Sequence, residues 1–351
     1  MTPPPVRNDS EGISSSSTNQ TGGGGTLLRQ SLNDIYAPVS SELKDFSSLL
    51  KAELASEDRL IGDIHSHLLK IGGKFLRPAL SILCSRAWGQ KNAKGIRLGV
   101  AIELIHTATL VHDDIIDDSQ LRRNQPTVYS KWGCEISNVS GDYLYAKAFL
   151  LLADFQDSWV NRAFAACAHV MCEGEMKQIE KRNNFLMSEA EYLKIIHQKT
   201  AALFQAAAAG GAYFGGADRS AIEKLGRYGY KIGMAFQIVD DCLDLTGETQ
   251  DLGKTAGLDL YKNDVTLPLL YLFQEIGENR RNSLLEGLKT NSSALFEEIK
   301  ALAVEKKGVD RAMEKAREYA DEASAELACL ENSIYKESLS NLAQYCLERI
   351  R

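Results

Sequence analysis

The chain has 351 residues, of which 44% are hydrophobic and 25% are charged, as in ordinary globular proteins. Its formal net charge of -7 argues against a general nucleic-acid-binding protein, which needs a basic surface for phosphates. No segment approaches the roughly 20 uninterrupted apolar residues that a membrane-spanning helix requires. The composition therefore predicts a globular protein without a membrane span and without a nucleic-acid partner.

The seven cysteines are scattered, with no Cys-x-x-Cys pair and no spacing typical of zinc ligands. Such a set is typical of free thiols in a reducing compartment. The N-terminus lacks the apolar segment of a secretory signal, and the acidic residues Asp9 and Glu11 argue against a transit peptide. We therefore expect a cytoplasmic protein.

Residues 1–31 are rich in Pro, Ser, Thr and Gly and contain few apolar side chains. Because such a segment cannot offset its ordering entropy by burial, we predict a disordered tail. From residue 32 onward apolar residues recur at helical spacing, as at Leu43, Phe46 and Leu50. Long stretches without proline favour helix, and no hairpin signal or β-branched alternation is visible. The sequence predicts a single all-helical domain over residues 32–351.

An aspartate-rich motif at residues 112–118 directly follows the apolar helical run 100–111. On a helix, positions i and i+4 share a face, so Asp113 and Asp117 project side by side. Asp114 lies about 100° away around the axis. One such cluster alone fits a solvated, frayed helix end as well as it fits a functional site.

The same i, i+1, i+4 spacing recurs at Asp240, Asp241 and Asp244, again after an apolar segment, residues 232–239. Two clusters with the same spacing are much less likely to arise by coincidence than one. Carboxylates that face each other across a cavity can bind hard divalent cations. Mg2+ takes a few carboxylates and completes its shell with waters and substrate phosphates. The two motifs therefore predict a site in which aspartates bind Mg2+ ions and a diphosphate.

Basic and polar residues elsewhere could bind the phosphates, since Arg clamps phosphate bidentately and Lys acts as a point charge. The candidates are Lys74, Arg77, His106, Arg122, Arg123, Lys199, Thr200 and Lys254. Lys74 and Arg77 follow two glycines that allow close backbone approach to a ligand. His106 lies two helical turns before Asp113 and points the same way, although a lone His on an apolar helix is usually a core residue.

Seven segments resemble, in order and spacing, those of the trans-isoprenyl diphosphate synthases: GGKFLRP, HDDIIDDSQLRRNQPT, GDYLYAKAF, EGEMKQ, QKTAALF, FQIVDDCLD and GKTAGLDL. The resemblance extends from about residue 32 to the C-terminus, and the paired aspartate motifs with GGKxxRP are specific to that family. It implies a bundle of antiparallel helices around a central cavity, usually built as a homodimer. It also implies a Mg2+-dependent prenyltransferase that joins isopentenyl diphosphate to an allylic diphosphate.

The resemblance assigns roles to individual positions. It implies principal Mg2+ ligands at Asp113, Asp117 and Asp240, with Asp114, Asp241 and Asp244 supporting catalysis. Contacts to the allylic diphosphate are implied for Arg122, Lys199, Thr200, Gln237 and Lys254, of which Lys199 is also counted as catalytic. The isopentenyl diphosphate pocket is implied for Lys74, Arg77, His106 and Arg123.

Three positions depart from the family's pattern. Phe75 stands where many members have Arg, although aromatic residues also occur there. Asn124 replaces a common Gly, and Asn tolerates a left-handed turn. Asp264 reverses a charge, because the family usually has a Lys there that contacts the allylic diphosphate. Either Lys262 replaces that contact from a shifted loop, or the substrate is held less tightly.

Product length, by the same resemblance, depends on side chains one helical turn below the first aspartate motif. Short-chain members usually place an aromatic ring near Ala108, whereas Ala108 and Thr109 leave room for a longer chain. We predict a long all-trans polyprenyl product of the kind used for quinone side chains. The alternatives are that Ala108 only permits close helix packing, and that the product is geranylgeranyl or farnesyl diphosphate.

Three other kinds of protein share parts of this pattern. A class I terpene cyclase has the fold and one aspartate motif, but GGKxxRP and the Arg pair count against it. A weakly active or regulatory subunit of a heteromeric synthase usually loses the aspartates, which this chain retains; only Asp264 favours that alternative. A purely structural bundle gives no reason for so many acids at one cavity.

Overall fold

The computed structural model describes residues 31–89, 91–247, 257–288 and 293–348. Helices make up most of this part of the chain. Their bounds are α1 Leu32–Tyr36, α2 Ser40–Glu53, α3 Arg59–Ile71, α4 Leu76–Trp88, α5 Ala93–Ile116, α6 Val128–Ala153, α7 Ser158–Lys181, α8 Glu189–Ile196, α9 Ala202–Gly215, α10 Arg219–Thr246, α11 Leu258–Tyr261, α12 Leu267–Glu275, α13 Glu278–Leu288, α14 Ser293–Glu305, α15 Gly308–Glu326 and α16 Ile334–Glu348. Short 3-10 segments lie at Ala37–Val39 and Leu327–Cys329, and a π-helix spans His197–Ala201. The predicted all-α fold class is confirmed, whereas the predicted tail, apart from Ser31, lies outside the described residues.

Polar side chains fix where many of the helices begin. Each accepts a hydrogen bond from a backbone N–H of the first turn, which satisfies a donor that has no partner within the helix. These N-cap residues are Ser31, Asp58, Asn92, Thr127, Asp157, Ser188 and Asp218. Because α5 begins after Asn92 and ends at Ile116, the first aspartate motif occupies its last turn and the residues just beyond.

A small hairpin follows the first aspartate motif. Leu121–Arg122 pairs antiparallel with Gln125–Pro126, and the turn residues Arg123 and Asn124 have φ values of 51° and 60°. The sequence showed no hairpin signal, so this hairpin was not predicted. Positive φ at both turn residues favours the tight turn, and Asn124 supplies it at low steric cost, as the sequence predicted.

Two hydrophobic clusters form the core. The first gathers residues from α4, α5, α6 and α9, with α5 packed between α4, α6 and α9. The second gathers residues from α10, α12 and α15, and α10 packs against both α9 and α15. The helices α5 and α10, which carry the two aspartate motifs, are therefore fixed by the core along most of their lengths. Among the residues that the structure describes, no helix has the length and apolar content needed to cross a bilayer.

Helices α4 and α9 approach so closely that only glycine fits at one contact. A Cβ atom at Gly211 would overlap the backbone carbonyl of Ser81, and backbone cannot yield as a flexible side chain can. At Gly226, in the middle of α10, a Cβ atom would instead lie 3.6 Å from the Ala209 Cβ atom, an ordinary contact.

We therefore expect Gly211→Ala to lower the free energy of unfolding by about 1–3 kcal/mol, the usual cost of forcing extra atoms into a packed core. The matched change Gly226→Ala should be neutral or stabilising by up to about 1 kcal/mol, since it reduces the entropy of the unfolded chain. Urea unfolding of both variants checks this. Equal effects of the two changes would contradict the close approach of α4 and α9.

Candidate active site

The two aspartate motifs meet at one cavity. Asp117 from the first motif and Asp240 and Asp241 from the second all line it. So do three further predicted residues, Lys199, Thr200 and Gln237. The tertiary structure thus brings six predicted site residues from α5, α10 and the π-helix to one place.

The π-helix places Lys199 and Thr200 in the cavity wall. A wide turn of this kind inside a helical segment is rare and is often found at functional sites. Gly174 on α7 packs against it so closely that a Cβ atom there would lie 2.6 Å from the backbone nitrogen of Lys199. The chain can bring α7 against this turn only because residue 174 has no side chain.

Lys199 lies among carboxylates. Its Nζ atom is 2.7 Å from Oε2 of Glu175, a residue of α7 that the sequence left without a role. Burial would lower the pKa of Lys199, but the charges of Asp113 and Glu175 outweigh it and raise that pKa above its ordinary value. Burial raises the pKa of Asp113 to about 7, opposed by the Lys199 ammonium. The ammonium group therefore stays charged next to the first aspartate motif.

A chain of hydrogen bonds fixes the second motif. The Thr200 hydroxyl donates to Oε1 of Gln237 at 2.6 Å, and Nε2 of Gln237 donates to Oδ1 of Asp241 at 2.8 Å. The Tyr192 hydroxyl donates to the other oxygen of Asp241 at 2.7 Å. Burial raises the pKa of Asp241 to about 7, and these two hydrogen bonds oppose that rise. Asp244, also buried, accepts from the backbone N–H of Asp259 at 3.1 Å.

Arg122 is bound to Asp114. Its Nε and Nη2 atoms lie 3.0 Å and 2.8 Å from Oδ1 of Asp114, which is only 4% exposed. Burial raises the pKa of Asp114, and the Arg122 charge opposes this. Asp114 thus holds the hairpin, and with it the Arg pair, against the end of α5.

A second, mostly apolar cavity has Asp114 and Arg122 in its walls. Besides apolar residues of α2, α3 and α5, its walls include Glu103, His106, Asp114, Arg122 and Arg123. Two residues predicted to bind isopentenyl diphosphate, His106 and Arg123, therefore line the same cavity.

Arg77 reaches the same region from α4. Its Nη1 atom lies 3.2 Å from Nε2 of His106, and its guanidinium stacks on the Phe204 ring with a centroid distance of 4.3 Å. Burial and the neighbouring arginines lower the pKa of His106 well below its ordinary value. The ring is therefore neutral, and Nε2 accepts the hydrogen bond from Arg77. Lys74, by contrast, is exposed, with Nζ 5.6 Å from the centroid of the Tyr345 ring.

Asp264 lines the first cavity and is bound by two side chains. Nε of Arg182 lies 2.9 Å from its Oδ1 atom, and Nε2 of Gln178 lies 2.9 Å from its Oδ2 atom. The sequence gave no indication of Arg182, because no spacing rule links it to residue 264. Gln178 could have been suspected, since it ends the EGEMKQ segment.

Residues 58–304 match the family described as Polyprenyl synthetase. The chain belongs to this family. It is 34% identical to the all-trans-nonaprenyl-diphosphate synthase (geranyl-diphosphate specific) of Rhodobacter capsulatus, over 91% of this chain and 98% of that protein. It is 33% identical to the octaprenyl diphosphate synthase of Haemophilus influenzae, over 91% of this chain and 97% of that protein.

A similar solved structure is that of the polyprenyl synthase from Caulobacter crescentus CB15, in complex with calcium and isoprenyl diphosphate. The two folds agree with a TM-score of 0.88 at 34% identity, over 92% of this chain and 98% of that one. These comparisons confirm the predicted family, the all-helical fold and the assignment as a trans-prenyltransferase.

The donor set of this polyprenyl synthetase fits a hard divalent cation. Asp113, Asp117 and Asp240 offer carboxylate oxygens near one cavity, which are ligands that Mg2+ prefers. In the part of the chain that the structure describes, no three acidic, His or Cys residues already converge as a metal site. Since Mg2+ usually takes only one or two carboxylates and completes its shell with water and substrate phosphates, such a cluster is not required.

Six of the predicted site residues that the structure describes line neither cavity: Lys74, Arg77, Asp113, Asp244 and the two chain-length residues Ala108 and Thr109. Ala108 is fully buried, and the Thr109 hydroxyl donates to the carbonyl of His106 at 2.7 Å. Neither residue is among those that line the two cavities described above. Their effect on product length stays a prediction. Lys254 lies outside the described residues.

Glu103 is an ionisable group that the sequence missed, because it stands within the apolar run of α5. It is 8% exposed, and burial raises its pKa from 4.5 to about 7, although Arg77 and Arg123 act in the opposite direction. An acid whose pKa is raised by folding binds more protons in the folded state than in the unfolded state. Its contribution to stability is therefore lost as the pH rises between these two values.

We expect the wild-type chain to lose up to about 3 kcal/mol of stability relative to Glu103→Gln between pH 4.5 and pH 8. The variant removes this titration and keeps the size of the side chain. Urea unfolding of both proteins across this range gives the difference directly. A difference that does not change with pH would contradict the raised pKa.

Proposed function

We propose that this polyprenyl synthetase condenses isopentenyl diphosphate head to tail with an allylic diphosphate in a Mg2+-dependent reaction. The observation that carries the proposal is the meeting of both aspartate motifs with Lys199, Thr200 and Gln237 at one cavity. The second cavity presents His106 and Arg123 within apolar walls. One polar cavity and one apolar cavity suit two diphosphates with hydrocarbon tails.

The residues at the first cavity stabilise a leaving group. Mg2+ held by Asp113, Asp117 and Asp240 would neutralise charge on the allylic diphosphate. Lys199 stays protonated among carboxylates and supplies a further positive charge where negative charge develops in the transition state. The Thr200 and Gln237 side chains, fixed by hydrogen bonds, offer polar contacts whose orientation is already set.

The second cavity would hold isopentenyl diphosphate. Neutral His106 accepts a hydrogen bond from Arg77 and so orients that guanidinium toward a phosphate, with Arg123 and Lys74 as further cations. As the allylic C–O bond breaks, the double bond of isopentenyl diphosphate forms the new C–C bond. A proton then leaves the adjacent carbon, and the released diphosphate can accept it. No covalent enzyme intermediate is needed, and the apolar walls exclude water that would trap the cation.

We propose a long all-trans polyprenyl product of the kind that forms quinone side chains. The nonaprenyl and octaprenyl synthases among the similar proteins support this, as does the absence of an aromatic side chain at Ala108. Geranylgeranyl or farnesyl diphosphate is the alternative product.

A homodimer is part of the proposal. Apolar side chains are exposed on α6 and α7: Val139, Tyr143, Leu150, Trp159, Met176 and Ile179. On α6, three of them share a face, since they lie at positions i, i+4 and i+11. Apolar patches of this kind commonly mark protein–protein contacts, and a second copy of the chain would cover them.

The proposed chemistry is tested with labelled isopentenyl diphosphate, farnesyl diphosphate and Mg2+. We expect elongation that a chelator abolishes, and at least about 100-fold slower turnover for Asp113→Ala. The control Asp142→Ala removes a mostly exposed aspartate of α6 and should leave turnover unchanged. Absence of elongation with any allylic primer would contradict the proposal and favour the alternative that the chain is a regulatory subunit.

Product length is tested with Ala108→Phe. A ring one turn below Asp113 should shorten the main product by several isoprene units while the first condensation continues at a similar rate. Chromatographic sizing of the products and a melting curve of the variant give both answers. An unchanged product from a folded variant would show that Ala108 serves helix packing only.

A further inference from the structure

The negative charge of Asp264 is neutralised within the protein. Its carboxylate is 5% exposed, and each oxygen accepts a hydrogen bond, one from Arg182 and one from Gln178. A buried carboxylate with a charged donor is held in one orientation. Asp264 therefore does not face the cavity as an uncompensated negative charge that would repel a diphosphate.

Arg182 connects Asp264 to the first aspartate motif. While its Nε atom binds Asp264, its Nη2 atom lies 3.2 Å from Oδ1 of Asp117. Both carboxylates line the first cavity, so the guanidinium that joins them lies directly behind its lining, within hydrogen-bond distance of two lining residues. A guanidinium has five N–H donors, and these contacts use two of them.

Lys262 reaches the same aspartate from the other side. Its Nζ atom lies 3.1 Å from Oδ2 of Asp117, and its side chain is 14% exposed. Two cations thus share the carboxylate of Asp117. If that carboxylate turns to a metal ion, Lys262 loses this partner and Arg182 keeps only Asp264 of its two carboxylates. Partly buried charges are costly without a partner, so the two cations together favour a further anion. A diphosphate bound in the cavity meets that requirement.

We propose that Arg182 and Lys262 together bind the allylic diphosphate, replacing the lysine that the family usually has at position 264. Asp264 and Gln178 act as positioning residues that hold the Arg182 guanidinium directly behind the cavity lining. This inference rests on the proposed function and names how that site holds its allylic substrate. In this proposal, the positive charge that the family usually places at position 264 comes from residues 182 and 262.

A purely structural role is the rival explanation. The backbone N–H of Asn183 donates to the carbonyl of Asn263 at 2.9 Å, so the turn after α7 is already tied to the loop before Asp264. In that case the Arg182 contacts would only strengthen the tie. The two roles differ in what they do to substrate affinity.

The first experiment measures KM for each substrate separately. Arg182→Gln and Lys262→Ala should each raise the KM for farnesyl diphosphate about 10-fold or more, the effect of losing a charged hydrogen bond, with the KM for isopentenyl diphosphate within about 2-fold of wild type. The control Lys177→Ala removes a lysine of α7 that pairs with Glu180 at the surface, and should change neither value.

The second experiment uses a charge exchange. Adding Asp264→Lys to Arg182→Gln returns a cation to position 264, and should bring the KM for farnesyl diphosphate back to within about 3-fold of wild type. A structural tie would not be restored by this change, since the double variant has neither partner of the Arg182–Asp264 ion pair. Failure of this rescue in a folded double variant would overturn the proposal that Arg182 replaces the cation of position 264.

Calorimetric titration with inorganic diphosphate and Mg2+ separates this inference from the proposed function. We expect Arg182→Gln to weaken diphosphate binding about 10-fold or more, whether or not the chain elongates a primer. Equal diphosphate affinity of wild type and variant would overturn the inference while leaving the proposed condensation intact. Loss of elongation in the wild-type enzyme, with Arg182-dependent diphosphate binding retained, would overturn only the proposed condensation.

Discussion

Acidic side chains gathered around one cavity repel each other and resist burial, so each needs a positive charge or hydrogen-bond donors close by. The chain supplies these charges from separate segments. Lys199, on the π-helix, lies close to the first motif, and Arg122, on the hairpin, binds Asp114. Arg182 and Lys262 share Asp117. These ion pairs tie together the end of α5, the end of α7 and the loop before α12.

The core makes these ion pairs possible by fixing the two helices that carry the acids. Helix α5 is packed on α4, α6 and α9, and α10 is packed on α9 and α15. Contacts that only glycine permits bring α7 against the π-helix at Gly174 and α9 against α4 at Gly211. The polar site is thus a consequence of apolar packing several turns away.

Much of the site followed from the sequence, because both aspartate motifs stand directly after long apolar helical runs. In a regular helix the spacing along the sequence sets the position of each side chain around the axis. Residues four apart therefore share a face before any fold is known. Glu103 was missed because it stands inside an apolar run, where its neighbours indicate core. Arg182 was missed because its partners Asp117 and Asp264 are distant in the chain, and no local pattern links them.

By itself the sequence determined the all-helical class, the family resemblance and the aspartates of the two motifs, since these depend on composition, on motifs and on short-range spacing. Only the tertiary structure decided which cation pairs with which carboxylate. Position 264 shows the difference: the sequence indicated a lost positive charge, whereas folding places Arg182 beside Asp264 and Lys262 beside Asp117. Ion pairing depends on distances of a few ångströms between segments far apart in the chain, and packing alone fixes those distances.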